Sequence, residues 1–435
     1  MKKVAFYTLG CKVNQYDTEA MLSIFEKEGY EVVDFDDFAD VYVINTCTVT
    51  NLSDRKSRQA IRKAKHQNEA STVIVAGCYA QTSPEEVAGI PGVNLVIGTK
   101  DRNEIIRFIK EIEAGKSQIN AVENIMTVRD FEELRIDEYK GHTRAFLKIQ
   151  EGCSQFCTYC IIPYARGPVR SRLPEDVINE VKRLSDNGFK EVVLTGIHIA
   201  SYGRDLKNIT LLELIEQIHA VEGIERIRLG SLEPKTITPE FVQKIKTLNK
   251  LCPHFHISLQ SGCDETLKRM NRKYTIEEYM NVVKLLRENI NDVALTTDVM
   301  TGFPGETDEE FQKTCDFLEQ VRFMKMHIFK FSPRKGTPAA TYKEQVAPEK
   351  KEQRSRVLLD MSQRLSLEFN KRYLGKTMPV LFEQEAKGKK GYYEGLTANY
   401  IQVLCSGDES LKGKITAARL LDATADGIVG IIEQA

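Results

Sequence analysis

Cys153, Cys157 and Cys160 stand in a CxxxCxxC spacing within Glu151-Gly152-Cys153-Ser154-Gln155-Phe156-Cys157-Thr158-Tyr159-Cys160, a loop that follows an apolar run at 145–149. Three thiolates gathered by one short loop can ligate three irons of a cubane iron–sulfur cluster and leave the fourth iron open to an exogenous ligand. Structural zinc uses similar short spacings but takes a fourth protein ligand. No His or Cys occurs in the thirty residues after Cys160.

A second trio is scattered. Cys11, Cys47 and Cys78 each stand just past a segment that reads as a strand, in Gly10-Cys11, Thr46-Cys47 and Gly77-Cys78. The pattern predicts strands at 3–9, 40–45 and 72–76 and helices at 14–28 and 53–66, an alternation that implies a doubly wound parallel sheet. Ligands collect beyond the carboxyl ends of such strands, so the three cysteines are expected on one rim. Each alone also reads as a small buried hydrophobe. Three in the same topological position point to a shared metal site, again with three ligated irons and one open. The helix after Cys47 carries Arg55, Arg58, Arg62 and Lys65 at helical spacing. That stripe reads either as a solvated face or as a phosphate-backbone contact.

The elements around the CxxxCxxC loop form a longer series. Residues 117–139, charged and poor in apolar content, read as a linker. Strands are then expected at 144–149, 191–194, 226–229, 254–259, 293–299 and 326–331, with helices between them. Pro174 opens one helix and Gly188 follows it, while Thr275 with Glu278 and Thr307 with Glu310 are capping boxes. Six such units are too few for an eight-stranded barrel, so a partial barrel is expected, with its chemistry at the carboxyl ends of the strands. A long charged helix at 348–373 leads to five short β runs, at 378–382, 392–396, 400–404, 412–418 and 428–433, which read as a small all-β domain. Lys387, Lys389 and Lys390 in its first turn, with Tyr392, Tyr393 and Tyr400, are the residue types of a single-strand-binding groove or equally of an ordinary turn and core. Arg166, Arg170 and Arg172, which flank the cluster loop, read as phosphate contacts or as a salt-bridged surface. Cys252, Cys263, Cys315 and Cys405 show no ligand spacing and read as structural.

Composition narrows the class. The 435 residues carry Lys+Arg 61 against Asp+Glu 62, so no global basic field advertises a polyanion partner. No 18-residue apolar stretch or signal pattern occurs, which predicts a cytoplasmic protein without a membrane partner. Ten cysteines in such a compartment suit metal or catalysis better than disulfides.

Cys153, Cys157 and Cys160, with Tyr159 just before the last, resemble the signature of the radical S-adenosylmethionine enzymes. Within that superfamily the whole chain resembles the methylthiotransferases. The similarity runs through Thr8-Leu9-Gly10-Cys11 with Asn14, Asn45-Thr46-Cys47, Gly77-Cys78-Tyr79-Ala80-Gln81, Pro163-Tyr164-Ala165-Arg166-Gly167, Leu259-Gln260-Ser261-Gly262 and Gly302-Phe303-Pro304-Gly305-Glu306-Thr307. Gly10-Cys11-Lys12-Val13-Asn14-Gln15 looks most like the branch acting on threonylcarbamoyl-adenosine in tRNA. The isopentenyl-adenosine branch usually has Cys-Gln-Met-Asn there, and the branch modifying a ribosomal-protein aspartate usually has Cys-Pro-Lys-Asn.

The resemblance implies domains at 1–116, 140–370 and 371–435, the last a TRAM domain that contacts RNA. It implies two 4Fe–4S clusters, one on Cys153, Cys157 and Cys160 that cleaves S-adenosylmethionine to a 5′-deoxyadenosyl radical, and one on Cys11, Cys47 and Cys78 that supplies or carries sulfur. A second S-adenosylmethionine would give the methyl group. Tyr159, Gly196, His198, Ser258 and Gln260 would line the cofactor, although Gly196 also reads as a tight turn. The implied partners are a tRNA anticodon stem-loop and a flavodoxin- or ferredoxin-type electron donor. The same chemistry on isopentenyl-adenosine or on a ribosomal-protein aspartate is the alternative. An iron–sulfur RNA-binding or redox-sensing protein is the reading from another class.

Overall fold

The computed structural model describes residues 1–134, 136 and 143–433. Short apolar strands alternate with helices through the first 120 residues, and the strands β1 (Lys3–Thr8), β2 (Glu31–Val33), β3 (Val41–Thr46), β4 (Thr72–Gly77), β5 (Val93–Val96) and β6 (Ile119–Asn120) form one sheet in the order β2-β1-β3-β4-β5-β6. All pairs are parallel. β3 is buried along its whole length, as a central strand covered on both faces must be. Two apolar clusters lie on those faces, one around Tyr42, Ile61 and Val75 and the other around Val43, Phe25 and Ile109. The expected doubly wound sheet is present, with three short strands that periodicity did not expose.

β6 lies inside the segment expected to be a linker. Its residues pair with β5, Leu134 packs on Tyr16 and Ala20, and Glu132 and Glu133 bind Arg102 and Arg172. The described part of 117–139 is therefore docked. Two of the charges that made it read as a linker, Glu132 and Glu133, are spent on buried arginines. Residues 135 and 137–142, with the expected boundary at 139/140, lie outside the described residues.

The central strands are β7 (Arg144–Glu151), β8 (Arg170–Ser171), β9 (Glu191–Gly196), β10 (Arg226–Leu229), β11 (His254–His256), β12 (Ala294–Thr301) and β13 (Lys325–Lys330). They run as β10-β9-β7-β8 and β11-β12-β13, joined by the parallel bridges Ile227↔Leu251 and Leu232↔Ile257. Apart from the antiparallel edge β8 this is a six-stranded parallel open barrel. Its helices begin where the caps predict: Pro174–Asp186 has proline in its first turn, and Thr275 and Thr307 each close a capping box.

The first helix of the N-terminal sheet, Lys12–Lys27, packs against β7 and β9. Its Asp17 takes Lys148 of β7 at 2.5 Å, and Lys12 lies over the ring of Phe146. After the helix Pro348–Lys371, strands β14 (Thr377–Glu385), β15 (Tyr392–Thr397), β16 (Gln402–Ser406), β17 (Ile415–Ala423) and β18 (Ile428–Ile432) close into a barrel, β14-β15-β16-β18-β17. This barrel docks under the amino ends of the central strands. Tyr400 stacks on His254 at 4.2 Å and lies under Arg228, whose guanidinium donates to the Thr397 and Ala398 carbonyls. No helix of the described residues is long and apolar enough to cross a membrane.

Candidate functional site

β1, β3 and β4 end side by side, so the residues after them share one rim. Asn14 donates to the carbonyls of Leu9 (2.6 Å) and Thr46 (2.9 Å), and Asn45 donates to Asn14 O at 2.9 Å. Thr46 Oγ1 accepts from the Tyr79 amide at 3.2 Å. These bonds tie the Cys11, Cys47 and Cys78 turns together. Two glycines make the approach possible. Gly10, at φ +107°, faces Cys47 so closely that an added Cβ would lie 2.9 Å from the Cys47 Cβ. Gly77, at φ +93°, would place a Cβ 2.5 Å from Asn45 Oδ1. Burial pushes the Cys78 thiol up to about 12 against the lowering charge of Arg166, with Cys47 and Cys11 both contributing to the rise. The three scattered cysteines are thus one electrostatic group.

The other trio is held by its own loop. Cys153 N–H donates to Gly167 O at 3.0 Å, and Cys160 N–H to Cys157 O at 2.9 Å. Burial pushes the Cys160 thiol up to about 12 and the Cys153 thiol to about 11, with Cys157 adding to both.

Each trio has a buried guanidinium on one of its sulfurs. Arg166 Nε donates to Cys78 Sγ at 3.2 Å, and Arg272 Nη1 to Cys157 Sγ at 3.4 Å. Hydrogen bonds and positive charge at sulfur suit thiolates of an anionic cluster. Among the described residues no three His, Cys, Asp or Glu side chains close on one point as they would around a single metal ion. A cubane places each cysteine on a different iron, so such convergence is not required of it. The donor sets fit clusters.

Arg166 is fully buried and joins the two sites. It reaches Asp17 at 3.0 Å, Glu151 at 3.1 Å and Asn14, while Arg102 and Lys148 complete the hub around Asp17. Burial opposes ionisation of Asp17, yet Arg102, Lys148 and Arg166 outweigh it and hold the carboxyl well below the usual range. Arg166, Arg170 and Arg172 are thus interior residues, only 0–2% exposed, rather than phosphate contacts or a salt-bridged surface. Arg334 makes a second tie from the central domain, donating to Thr48 and Asp54 at 2.6 Å beside Cys47.

Between the trios lies a cavity of about 210 Å³. Tyr159, Cys160, Gln260, Asp298 and Met300 line it from the central domain, and Val49 and Thr50 from the loop after Cys47. The expected cofactor residues fall in three places. Tyr159 and Gln260 are in the cavity wall. His198 lies one strand away; its amide takes Gln150 Oε1, Nδ1 meets Ser201, and buried Nε2 is unpartnered, 3.7 Å from Glu233. Ser258 contributes its carbonyl to Tyr274 Oη at 2.8 Å. Gly196 abuts Gln150, where a Cβ would lie 2.8 Å from the carbonyl, so close strand approach explains the glycine and no left-handed turn is present.

Glu233 and Arg272 escaped sequence reasoning. They pair at 2.8 Å beside Cys157. Burial opposes ionisation of Glu233, but the neighbouring His198 ring and the charge of Arg272 hold its carboxyl below the usual range. Only their places just past β10 and after the helix Asp264–Arg269 marked them.

The basic stripe is broken. Arg58 donates to Tyr79 Oη at 3.0 Å, and Lys65 caps the Glu69 and Ser71 carbonyls, which leaves Arg55 and Arg62 outward. Lys387, Lys389 and Lys390 are exposed, with Lys389 over Tyr392 at 4.0 Å. Tyr393 is in the barrel core and Tyr400 plugs the central domain, so neither belongs to a groove with them.

Residues 147–318 match the radical SAM superfamily, and residues 3–98 the uncharacterized protein family UPF0004. The chain is 45% identical to the threonylcarbamoyladenosine tRNA methylthiotransferase MtaB of Bacillus subtilis, covering 97% of this chain and 94% of that one. The MtaB of Aquifex aeolicus is 43% identical over 92% and 96% of the two chains. The tRNA-2-methylthio-N(6)-dimethylallyladenosine synthase of Pelotomaculum thermopropionicum is 36% identical over 99% and 98%. Among solved structures, the radical S-adenosylmethionine methyltransferase TsrM of Kitasatospora setae, with cobalamin and a [4Fe-4S] cluster, superposes with a TM-score of 0.59. It is 17% identical, covers 78% of this chain and 77% of its own, and shares the fold.

Proposed function

The chain belongs to the radical S-adenosylmethionine methylthiotransferases, and from that premise we propose that it installs a methylthio group at C2 of N6-threonylcarbamoyladenosine beside the tRNA anticodon, at position thirty-seven. One observation carries the reading. A single cavity is bounded by Cys160 and Tyr159 on one wall and by Val49 and Thr50, of the loop after Cys47, on the other, so a base placed there lies between the radical loop and the loop that follows Cys47.

Cys153, Cys157 and Cys160 would hold one 4Fe–4S cluster, and Cys11, Cys47 and Cys78 a second. When bound, the first supplies the electron that cleaves S-adenosylmethionine to a hydrogen-abstracting radical, and the second supplies sulfur. The remaining work falls to this chain's side chains. Arg272 and Arg166 set the charge at the two sulfur groups. Glu233 and His198 offer an acceptor and a free ring nitrogen to the polar groups of S-adenosylmethionine. Tyr159, Met300 and Phe331 give the cavity an apolar wall that excludes water around the reacting carbon. A second S-adenosylmethionine is the methyl donor. The domains are assigned as 1–116, 140–370 and 371–435, the last a TRAM domain. The protein works in the cytoplasm with a flavodoxin- or ferredoxin-type donor.

Mass spectrometry of tRNA nucleosides from a strain lacking the protein tests this. Loss of methylthio-threonylcarbamoyladenosine is expected, with restoration by the wild-type gene. Loss of the methylthio-isopentenyl nucleoside instead, or an unchanged profile, would overturn the substrate assignment.

A further inference from the structure

Four aromatic side chains are strongly exposed among the described residues, and three of them lie at or beside two adjoining cavities. Phe156 and Tyr164, 40% and 39% exposed, pack edge to face at 5.8 Å on the loop and short helix around the radical cysteines. Phe329, 46% exposed, stands at the end of β13 and lines the cavity between the trios. Tyr164 lines a neighbouring cavity of about 540 Å³ with Thr82, Ser83 and Lys335, and the two cavities share Ile161. Val49, 50% exposed, lines the first cavity from the loop after Cys47, and Leu52, 56% exposed, stands in the first turn of the helix Asn51–Gln67 that follows.

The rim is built rather than incidental. Phe156 holds φ +48°, which a side-chain-bearing residue rarely adopts, and Asn271 Nδ2 fixes its carbonyl at 3.0 Å. That backbone leaves the ring exposed beside Tyr164. Exposed rings at the mouth of a cavity offer stacking faces. A loop purine must leave its stack to present a ring carbon inside the cavity, and its neighbours then lose a partner. Aromatic side chains replace such stacking in single-stranded recognition.

We propose that Phe156, Tyr164 and Phe329 form a stacking rim for the unpaired bases that flank the target adenosine of a tRNA anticodon loop. The assignment rests on the tRNA reading above. The ring faces, more than cations, provide the affinity at this mouth, because Arg334 pairs with Asp54 and Lys330 with Glu352, leaving Lys335 as the one cation of the two linings without an acidic partner among the described residues.

The test is equilibrium binding of anticodon stem-loop RNA carrying threonylcarbamoyladenosine to the cluster-loaded, full-length protein. The wild type is compared with Phe329→Ala, Tyr164→Ala and Phe156→Ala, with iron content measured for each. Phe329 lies outside the cluster loop, so it keeps the test decisive if Phe156→Ala loads poorly. Each replacement is expected to weaken binding about tenfold, with an unchanged salt dependence because no phosphate contact is removed. An RNA with abasic flanking positions should bind wild type and Phe329→Ala alike. Wild-type affinity in Phe329→Ala and Tyr164→Ala at full iron content overturns the rim while leaving the tRNA reading intact. Absence of RNA binding by the wild type overturns the tRNA reading and the rim with it.

Discussion

The two cysteine trios are built in opposite ways. Cys153, Cys157 and Cys160 come from eight consecutive residues whose amides bond within their own turn and to Gly167 and Met270. Cys11, Cys47 and Cys78 are brought together by three parallel strand ends, by asparagines that cross between turns, and by two arginines from another domain. The local loop needs one strand to aim it. The distributed site needs the sheet, the central domain and the ion hub at once. The proposed role of the distributed trio, to hold sulfur for a radical generated elsewhere, gains from this dependence: Arg166 cannot bind Cys78 unless the two domains are seated.

That contrast can be broken most severely at the cysteines. Replacing Cys153 with Ala should remove about four irons and leave about four, from cubane stoichiometry, and Cys11→Ala should do the same from the other side, as read by anaerobic iron and sulfide analysis. Loss of all eight from either variant would mean that the trios are not separate sites.

Arg166→Ala comes next. Removing one partner of a buried charge network costs about 3–5 kcal/mol, and denaturant midpoints should fall accordingly. Cluster loss should be confined to the Cys11 side, because the Cys153 loop keeps its own amide bonds and Arg272.

The hub also has a pH signature. Asp17 and Glu151 are held below their unfolded values. Their stabilisation is therefore fully present above the ordinary carboxylate range, about pH 4, and is lost as pH falls through the depressed folded values. Stability measured from pH 6 downward should fall more steeply in the wild type than in Asp17→Asn. Equal slopes would remove Asp17 from the account.

The smallest effect belongs to the C-terminal barrel. Tyr400→Ala empties a half-buried plug, at a cost of about 2 kcal/mol, below the usual loss for a core aromatic. Limited proteolysis should release the barrel sooner while both trios keep their iron.

The same contrast explains what could be read from residue order. The Cys153 loop is written in ten adjacent residues, and the strand before each scattered cysteine placed Cys11, Cys47 and Cys78 on one rim. The six-unit open barrel and the all-β end followed from periodicity and caps. What escaped was long-range pairing. Arg166 meets Asn14 and Cys78 from far along the chain, and nothing in its neighbours distinguishes a buried arginine from a surface one. Glu132 and Glu133 made a docked segment look like a linker for the same reason. Arg58 and Lys65 kept helical spacing but are drawn to Tyr79 and to backbone carbonyls. Tyr400 resembled a groove aromatic because a tyrosine in a turn gives no sign of the domain into which it inserts. β2, β5 and β6, of two to four residues, were not marked by any pattern, although the equally short β10 and β11 were.

The most direct test of two trios with two jobs is turnover by the Cys78→Ala protein after anaerobic reconstitution, with the stem-loop RNA, S-adenosylmethionine and a reductant. The expected result is 5′-deoxyadenosine without methylthiolated nucleoside, from a protein that keeps about four irons. Methylthiolated product from that variant would contradict the account.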